Sequence, residues 1–368
     1  MNEPRTHARP GGVAAAWLCF AASFALVAGL VRAFAPYGSG LERMDVKLDA
    51  FAQRKDEFDL VFLGSSRAVR GFVPSQFDAE LAAQGFETHS FNLGVAGARV
   101  TEMLFVLERL VELAPRKLRF VLIDPEDFGQ IHDTRNALAQ SGIVWHDAST
   151  TWLAARHALS SERGDKFEVL RDHARACALN TLNVGRTARW VNALLGREAA
   201  EELVAETLGA RGDGHTALFD DQETLARRRR RFERGKAEYE RMVAGYREIE
   251  RPDRAPAPEF LELLERVEAL VRALGAEPVF VIQPALARQW DLIAAAERGA
   301  VETLLRYDDP DRDAALFAHE NRFDSLHLND AGAALFTRRL ADDFAQWRRA
   351  RAAERTEERG GERGGERK

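Results

Sequence analysis

Two distant stretches of the chain together hold the side chains of a serine nucleophile with its base and acid: Ser66 in one, Asp324 and His327 in the other. A serine hydroxyl is a weak nucleophile alone. It needs a base to take its proton, and the base needs an acid to orient it. Ser66 lies in Leu60-Val61-Phe62-Leu63-Gly64-Ser65-Ser66-Arg67, where a wholly apolar run ends in a glycine and two serines. Asp324-Ser325-Leu326-His327 is a D-x-x-H turn, which can present a carboxylate and an imidazole side by side. Both stretches also have plainer readings. The Gly-Ser-Ser turn could simply cap the next helix, and Asp330 could cap the last helix with His327 on a loop surface. Ser65, one residue nearer the strand, is expected to face inward. Gly97 is the third candidate position. Its backbone N–H lies in a loop leading to a helix, where donors can meet developing negative charge.

Such residues must be held by a scaffold, and the patterning predicts one. Residues 60–63 form an apolar run typical of a strand buried on both faces of a parallel sheet. Pro74 opens a helix over 75–84 that Gly85 stops. A second strand is expected over 88–93, ending in Asn92-Leu93-Gly94-Val95-Ala96-Gly97-Ala98-Arg99, and a helix over 101–113. A third strand at 118–123 ends in Asp124-Pro125-Glu126-Asp127. A helix over 260–274, a fourth strand over 278–283 and a final amphipathic helix over 331–349 complete the pattern. Strands alternating with helices at this spacing imply an α/β fold with βαβ units and a parallel sheet. Residues 285–323 read as helical or irregular.

The expected organisation has five parts. Residues 1–35 are a cytoplasmic N-terminus and transmembrane anchor, and 36–57 a juxtamembrane helix. Residues 58–129 and 259–349 form the α/β domain, interrupted by a helical insertion at 130–258. Residues 350–368, with their repeated Gly-Gly-Glu-Arg, read as a disordered tail.

The anchor rests on residues 13–31, an unbroken run of apolar and small side chains. At about 1.5 Å per residue it reaches about 30 Å, the thickness of a bilayer core. Arg5 and Arg9 precede it, which puts the N-terminus in the cytoplasm and the main domain outside, in the periplasm or cell exterior. A cleaved signal peptide is the rival, since Ala33-Phe34-Ala35 mimics a cleavage site, although Pro36 would follow the cut. A buried helix of a soluble protein is the third possibility.

Composition narrows the rest. Of 368 residues, 46% are apolar, enough for a sizeable core, and the formal net charge of −6 argues against a nucleic-acid binder. Two cysteines, Cys19 and Cys177, build no disulfide framework or cysteine metal site. His132, Asp133, His146 and Asp147 lack the spacing of a helical ligand pair and read as surface polarity, so no metal and no cofactor is expected. Arg227–Arg231 are five consecutive arginines. They read as a solvated helix face pairing with Glu233 and neighbours, with binding of an anionic polymer or lipid head group as the alternative.

Gly64-Ser65-Ser66, then Asn92-Leu93-Gly94-Val95-Ala96-Gly97, then Asp324-Ser325-Leu326-His327-Leu328-Asn329 resemble, in this order, three sequence blocks of the SGNH (GDSL-like) hydrolase superfamily. The resemblance covers roughly residues 58–127 and 277–345. It implies a parallel-sheet, three-layer SGNH/flavodoxin-like core, and the Gly-Ser-Ser variant looks like the membrane-anchored, acyltransferase-like branch that modifies cell-envelope polymers. By that resemblance Ser66 is the nucleophile, His327 the base and Asp324 its orienter, with an oxyanion hole of the Ser66 and Gly97 N–H groups. An acylated carbohydrate or envelope polymer is the expected partner, with a multispanning membrane protein that exports acyl groups. One block departs. The family's usual oxyanion asparagine falls near Glu126, and an ionised carboxylate donates no hydrogen bond. Arg67 or Arg99 are the expected substitute donors. A non-catalytic scaffold that binds envelope polysaccharide or a membrane partner is the alternative reading.

Overall fold

The computed structural model describes residues 10–34, 38–125, 137–161, 164–184, 191–192, 194–196, 199–218, 223–252 and 255–365. In chain order the elements are α1 (Pro10–Phe34), α2 (Glu42–Arg54), β1 (Leu60–Leu63), α3 (Ser66–Gly71), α4 (Pro74–Ala82), β2 (Ser90–Asn92), α5 (Val100–Leu113), β3 (Phe120–Ile123), α6 (Gln140–Trp145), α7 (Ala148–Ser160) and α8 (Lys166–Thr181). There follow α9 (Glu201–Leu208), α10 (Glu223–Arg234), α11 (Lys236–Arg247), α12 (Pro258–Ala273), β4 (Glu277–Ile282), α13 (Trp290–Glu297), β5 (Leu304–Arg306), α14 (Ala314–Phe317) and α15 (Asp330–Gly365). The chain divides into two compact units. One comprises Met1–Glu42 and Asp133–Glu198, the other Arg43–His132 and Ala199–Lys368.

The second unit is α/β. Among the described residues its sheet has five strands in the order β2-β1-β3-β4-β5, all paired in parallel. Val61 stands in register with Phe91 on one side and Val121 on the other. Side chains alternate between faces along a strand. Leu60, Phe62, Phe120, Leu122, Val279 and Val281 therefore share one face, where they join a core with Phe77 of α4 and Phe336, Leu340 and Phe344 of α15. Phe62 stacks on Phe72 at 4.7 Å, and Phe120 meets Phe344 edge-on at 5.2 Å. Val61, Val121 and Phe280 point the other way and are fully buried. Burying these strands on both faces is why they read as continuous apolar runs.

Three differences from the sequence reading have physical causes. The helix α3 and strand β5 were not expected, because six and three residues are too short to show a period. The last helix continues to Gly365, where residues 350–368 were expected to be disordered. Its Ala-, Glu- and Arg-rich stretch up to Arg359 favours helix, with Arg351 and Glu354 paired at 3.7 Å, against about 1 kcal/mol for each of the four glycines that follow. The expected insertion at 130–258 is not one body. Residues from Ala199 onward belong to the α/β unit, and α2, expected as a juxtamembrane link, belongs there almost entirely, with Phe51 against Phe58 (5.5 Å) and Phe91 (5.9 Å).

The first unit is helical. In α1 the stretch Val13–Phe34 is long and apolar enough to cross a membrane, with mean hydropathy 2.1 and exposed side chains. In the same unit α7 and α8 pack together with α6 against α8, and Asn180 donates to the carbonyls of Ile143 (2.9 Å) and Val144 (2.7 Å).

Candidate active site

The sheet order reverses at β1, which is flanked by β2 and β3. Crevices outside the carboxyl ends of strands at such a reversal are where open α/β sheets bind ligands. Ser66 follows β1 there. Gly64 turns the chain with φ +152°, and a Cβ on it would fall 2.7 Å from that of Ala68 and 2.9 Å from that of Asp124, so only glycine fits. Ser65 is buried and caps α3 by accepting from the Arg67 N–H at 3.4 Å. Ser66 is the first residue of α3 and is half-buried, with its hydroxyl 2.8 Å from Nε2 of His327.

His327 reaches that position because its loop is tied down on three sides. The Phe323 N–H donates to the His327 carbonyl (2.9 Å), closing the turn. Asp324 Oδ1 accepts from the N–H groups of Leu326 (2.7 Å) and His327 (2.9 Å). Arg322, fully buried, donates to the carbonyls of Pro284 after β4 (2.6 Å) and of Ser325 (3.1 Å). The loop then enters α15, whose cap is Asn329, not the Asp330 of the plainer reading: its Oδ1 accepts from the Gly332 N–H at 2.9 Å. In turn α15 is pinned beside α3, with Thr337 Oγ1 donating to the Gly71 carbonyl (3.0 Å) and accepting from the Val73 N–H (3.2 Å).

Nδ1 of His327 lies 3.0 and 3.1 Å from the two oxygens of Asp324. Burial acts to raise the Asp324 pKa. The hydrogen bond and charge of His327, the Leu326 N–H and the Arg228 guanidinium together outweigh it and hold the carboxyl below its ordinary value. An ionised Asp324 accepts a hydrogen bond from Nδ1–H, which leaves the Nε2 lone pair facing the Ser66 hydroxyl. The structure thus brings Ser66, His327 and Asp324 together across 261 residues of sequence.

A fourth group joins them that the sequence reading had not placed here. Arg228, on α10, puts Nε 2.7 Å from Asp324 Oδ2 and a terminal nitrogen 3.4 Å from His327 Nδ1. Its neighbour Arg229 donates to the carbonyls of Arg322 and Phe323 and pairs with Glu233 at 2.8 Å. The five-arginine block is therefore not simply a solvated face: two of its members brace the Asp-His loop. The available signal was local. Ala226 and Phe232 bracket these arginines, so part of this face had to meet protein.

Gly97 sits on the loop after β2, exposed, with φ +79°. That loop is fastened to β1 by the Leu93 N–H on the Phe62 carbonyl (2.8 Å) and the Val95 N–H on the Gly64 carbonyl (3.0 Å). Lys47, buried on α2, clamps it from behind, donating to the carbonyls of Asn92 (3.0 Å), Gly94 (2.6 Å) and Gly214 (2.6 Å). Burial, aided by the charge of Arg70, pulls its amine down to about 7. Lys47 falls on the stripe Met44, Leu48, Phe51 of a helix expected only as a linker, and a lysine on an apolar stripe is the signal that could have marked it.

Of the expected substitute donors, Arg67 is engaged by a buried carboxylate. Arg67 is buried, and its guanidinium pairs with Asp124 at 3.1 Å, while the other Asp124 oxygen accepts from Gln283 (2.9 Å). Arg67 thus ties α3 to the residues that follow β3 and β4. Arg99 is the residue before α5, half-buried, and its N–H serves the Glu102 carboxyl. Glu126 lies outside the described residues, as do His132 and Asp133. His146 is not on the surface: it is buried 2.8 Å from Nδ1 of His173, and Asp147 caps α7 through the Thr150 N–H (2.7 Å).

The arrangement provides a hydroxyl, an imidazole and an ionised carboxylate in one hydrogen-bonded line. Such a line can pass a proton from a nucleophile to a leaving group. In comparisons with known proteins, no family model matches the chain and no curated protein matches it.

Proposed function

We propose that the protein is a serine acyl esterase or O-acyltransferase that works through an acyl-serine intermediate. The observation that carries this is the 2.8 Å contact between Ser66 Oγ and a His327 whose other nitrogen faces Asp324. Ser66 attacks an acyl carbonyl while Nε2 takes its proton. The tetrahedral intermediate collapses, and the imidazolium returns the proton to the departing oxygen. A sugar hydroxyl or water, deprotonated by the same Nε2, then attacks the acyl-serine and releases the acyl group. The Ser66 N–H, at the first turn of α3, has no acceptor within its helix, and with the Gly97 N–H it forms the oxyanion hole.

The strand order, with the first two blocks at the ends of β1 and β2 and the third in the loop before α15, supports a three-layer SGNH/flavodoxin-like core. With α1 as a single-pass anchor, cytoplasmic at its N-terminus, the α/β unit works outside the cytoplasmic membrane on an acylated envelope carbohydrate. A multispanning membrane protein that delivers acyl groups is the partner this chemistry calls for. Labelling with a serine-directed fluorophosphonate tests the reading. Labelling of the wild type that is lost in Ser66→Ala and in His327→Ala is expected. Equal labelling of all three would overturn it.

A further inference from the structure

Acyl transfer makes no use of an apolar surface on the helical unit. Within this unit the end of α8 and the turn after it lie against α1. Arg32 donates to Asn180 Oδ1 (3.3 Å), and Asn183 Nδ2 donates to the Ala28 carbonyl (2.8 Å). Ala28 is six residues before Phe34, where the membrane-length stretch ends. At 1.5 Å per residue that is about 9 Å inside the end of the stretch. Asn180 also holds α6 through the carbonyls of Ile143 and Val144, so the turn is fixed at this level of α1 from both sides.

The side chains carried to this level are apolar and uncovered. Leu182 is 49% and Val184 43% exposed, on either side of Asn183. In the same unit Val191, Leu194 and Leu195 recur at i, i+3 and i+4 and are 42%, 66% and 58% exposed. The backbone donors at the turn are closed internally, as a lipid environment requires. Leu182 N–H meets the Ala178 carbonyl (3.0 Å), Asn183 N–H that of Asn180 (2.9 Å) and Val184 N–H that of Leu179 (3.0 Å). In water, such a cluster would forfeit roughly 25 cal/mol for each Å² left uncovered.

We infer that Leu182, Val184, Val191, Leu194 and Leu195 insert into the acyl-chain boundary of the non-cytoplasmic leaflet, beside α1. This rests on the reading of α1 as a bilayer-spanning anchor. The contact is continuous with that helix, and its depth follows from the bond to Ala28. It gives the helical unit a monotopic attachment in addition to the span.

The full chain, with Cys19→Ala and Cys177→Ala, is reconstituted into phosphatidylcholine–phosphatidylglycerol vesicles and labelled with an environment-sensitive fluorophore at Val184→Cys or Leu194→Cys. Leu26→Cys in α1 is the anchor control, and Glu240→Cys on the α/β unit the aqueous control. Phosphatidylcholine brominated on its acyl chains should quench positions 184, 194 and 26 by a factor of about two or more and leave 240 unchanged. Quenching at 26 without quenching at 184 and 194 overturns the inference and leaves the anchor standing. No quenching at 26 overturns the anchor, and the inference with it. Protection of 184 and 194 from aqueous thiol reagents without quenching would mean a protein cover, such as a second copy, and also overturns it.

Discussion

The guanidinium Nε of Arg228 lies 2.7 Å from Oδ2 of Asp324, the carboxylate that also receives Nδ1 of His327. Two cationic or proton-bearing groups thus share one anion. After the His327 contact and the Leu326 N–H, Arg228 helps hold the carboxyl below its ordinary value, and it adds positive charge beside the imidazole. Because Arg228 is 43% exposed, solvent screens much of its effect.

Removing that side chain should change rate more than binding. Arg228→Met is expected to lower kcat about tenfold, about 1.4 kcal/mol in barrier, with KM for a small acetyl ester nearly unchanged. Asp324 loses one of the charges that hold its carboxyl below the ordinary value, so the acid limb of the kcat/KM profile should move to higher pH. Arg228→Lys should restore part of both. Steady-state kinetics across pH would check this; a change in KM alone would make Arg228 a substrate contact instead.

Lys47 offers a pH-dependent test of the loop clamp. Its amine is pulled from 10.5 to about 7 by burial first, and by Arg70. Between those values the unfolded chain binds a proton that the folded protein lacks, so stability rises with pH by about 1.4 kcal/mol per unit. This contribution is complete above the unfolded value and is lost as pH falls through about 7. Lys47→Met removes this pH dependence, and near neutrality it strands three carbonyls, a loss of about 3 kcal/mol. Urea unfolding in detergent at several pH values should therefore show the wild-type advantage over Lys47→Met growing from pH 7 upward. A constant difference would contradict it.

Much of this site could be read in the chain because strand ends announce themselves. The apolar run Leu60–Leu63 and the Gly64 turn fix Ser66 locally, and the observed strand has those bounds. The D-x-x-H turn is equally local, since its backbone bonds close within five residues. Arg228, Lys47 and Arg67 were not legible as site supports. Their partners, Asp324, the Asn92–Gly94 backbone and Asp124, lie 96, 45 and 57 positions away. A long cationic side chain has the same sequence signature whether it meets water or a buried acceptor. Strand β5 and helix α3 escaped for a different reason, being too short for any period to appear.

The Arg67–Asp124 pair separates a structural from an electrophilic role for Arg67. Both side chains are buried, so removing one partner leaves an uncompensated charge. Arg67→Met and Asp124→Asn should each destabilise the α/β unit by about 3–5 kcal/mol, while Arg67→Met/Asp124→Leu should recover most of that loss. Thermal or urea unfolding measures this. Full stability in Arg67→Met, with activity lost, would return Arg67 to the oxyanion hole.

The proposed acyl transfer requires one proton to move between Ser66 and His327. Intact-protein mass spectrometry after brief exposure to an activated acetyl ester, followed by peptide mapping, tests it most directly. A single acetyl group on Ser66, formed by the wild type and by neither Ser66→Ala nor His327→Ala, is the predicted result. Acetylation at any other residue, or equal acetylation of all three proteins, would contradict it.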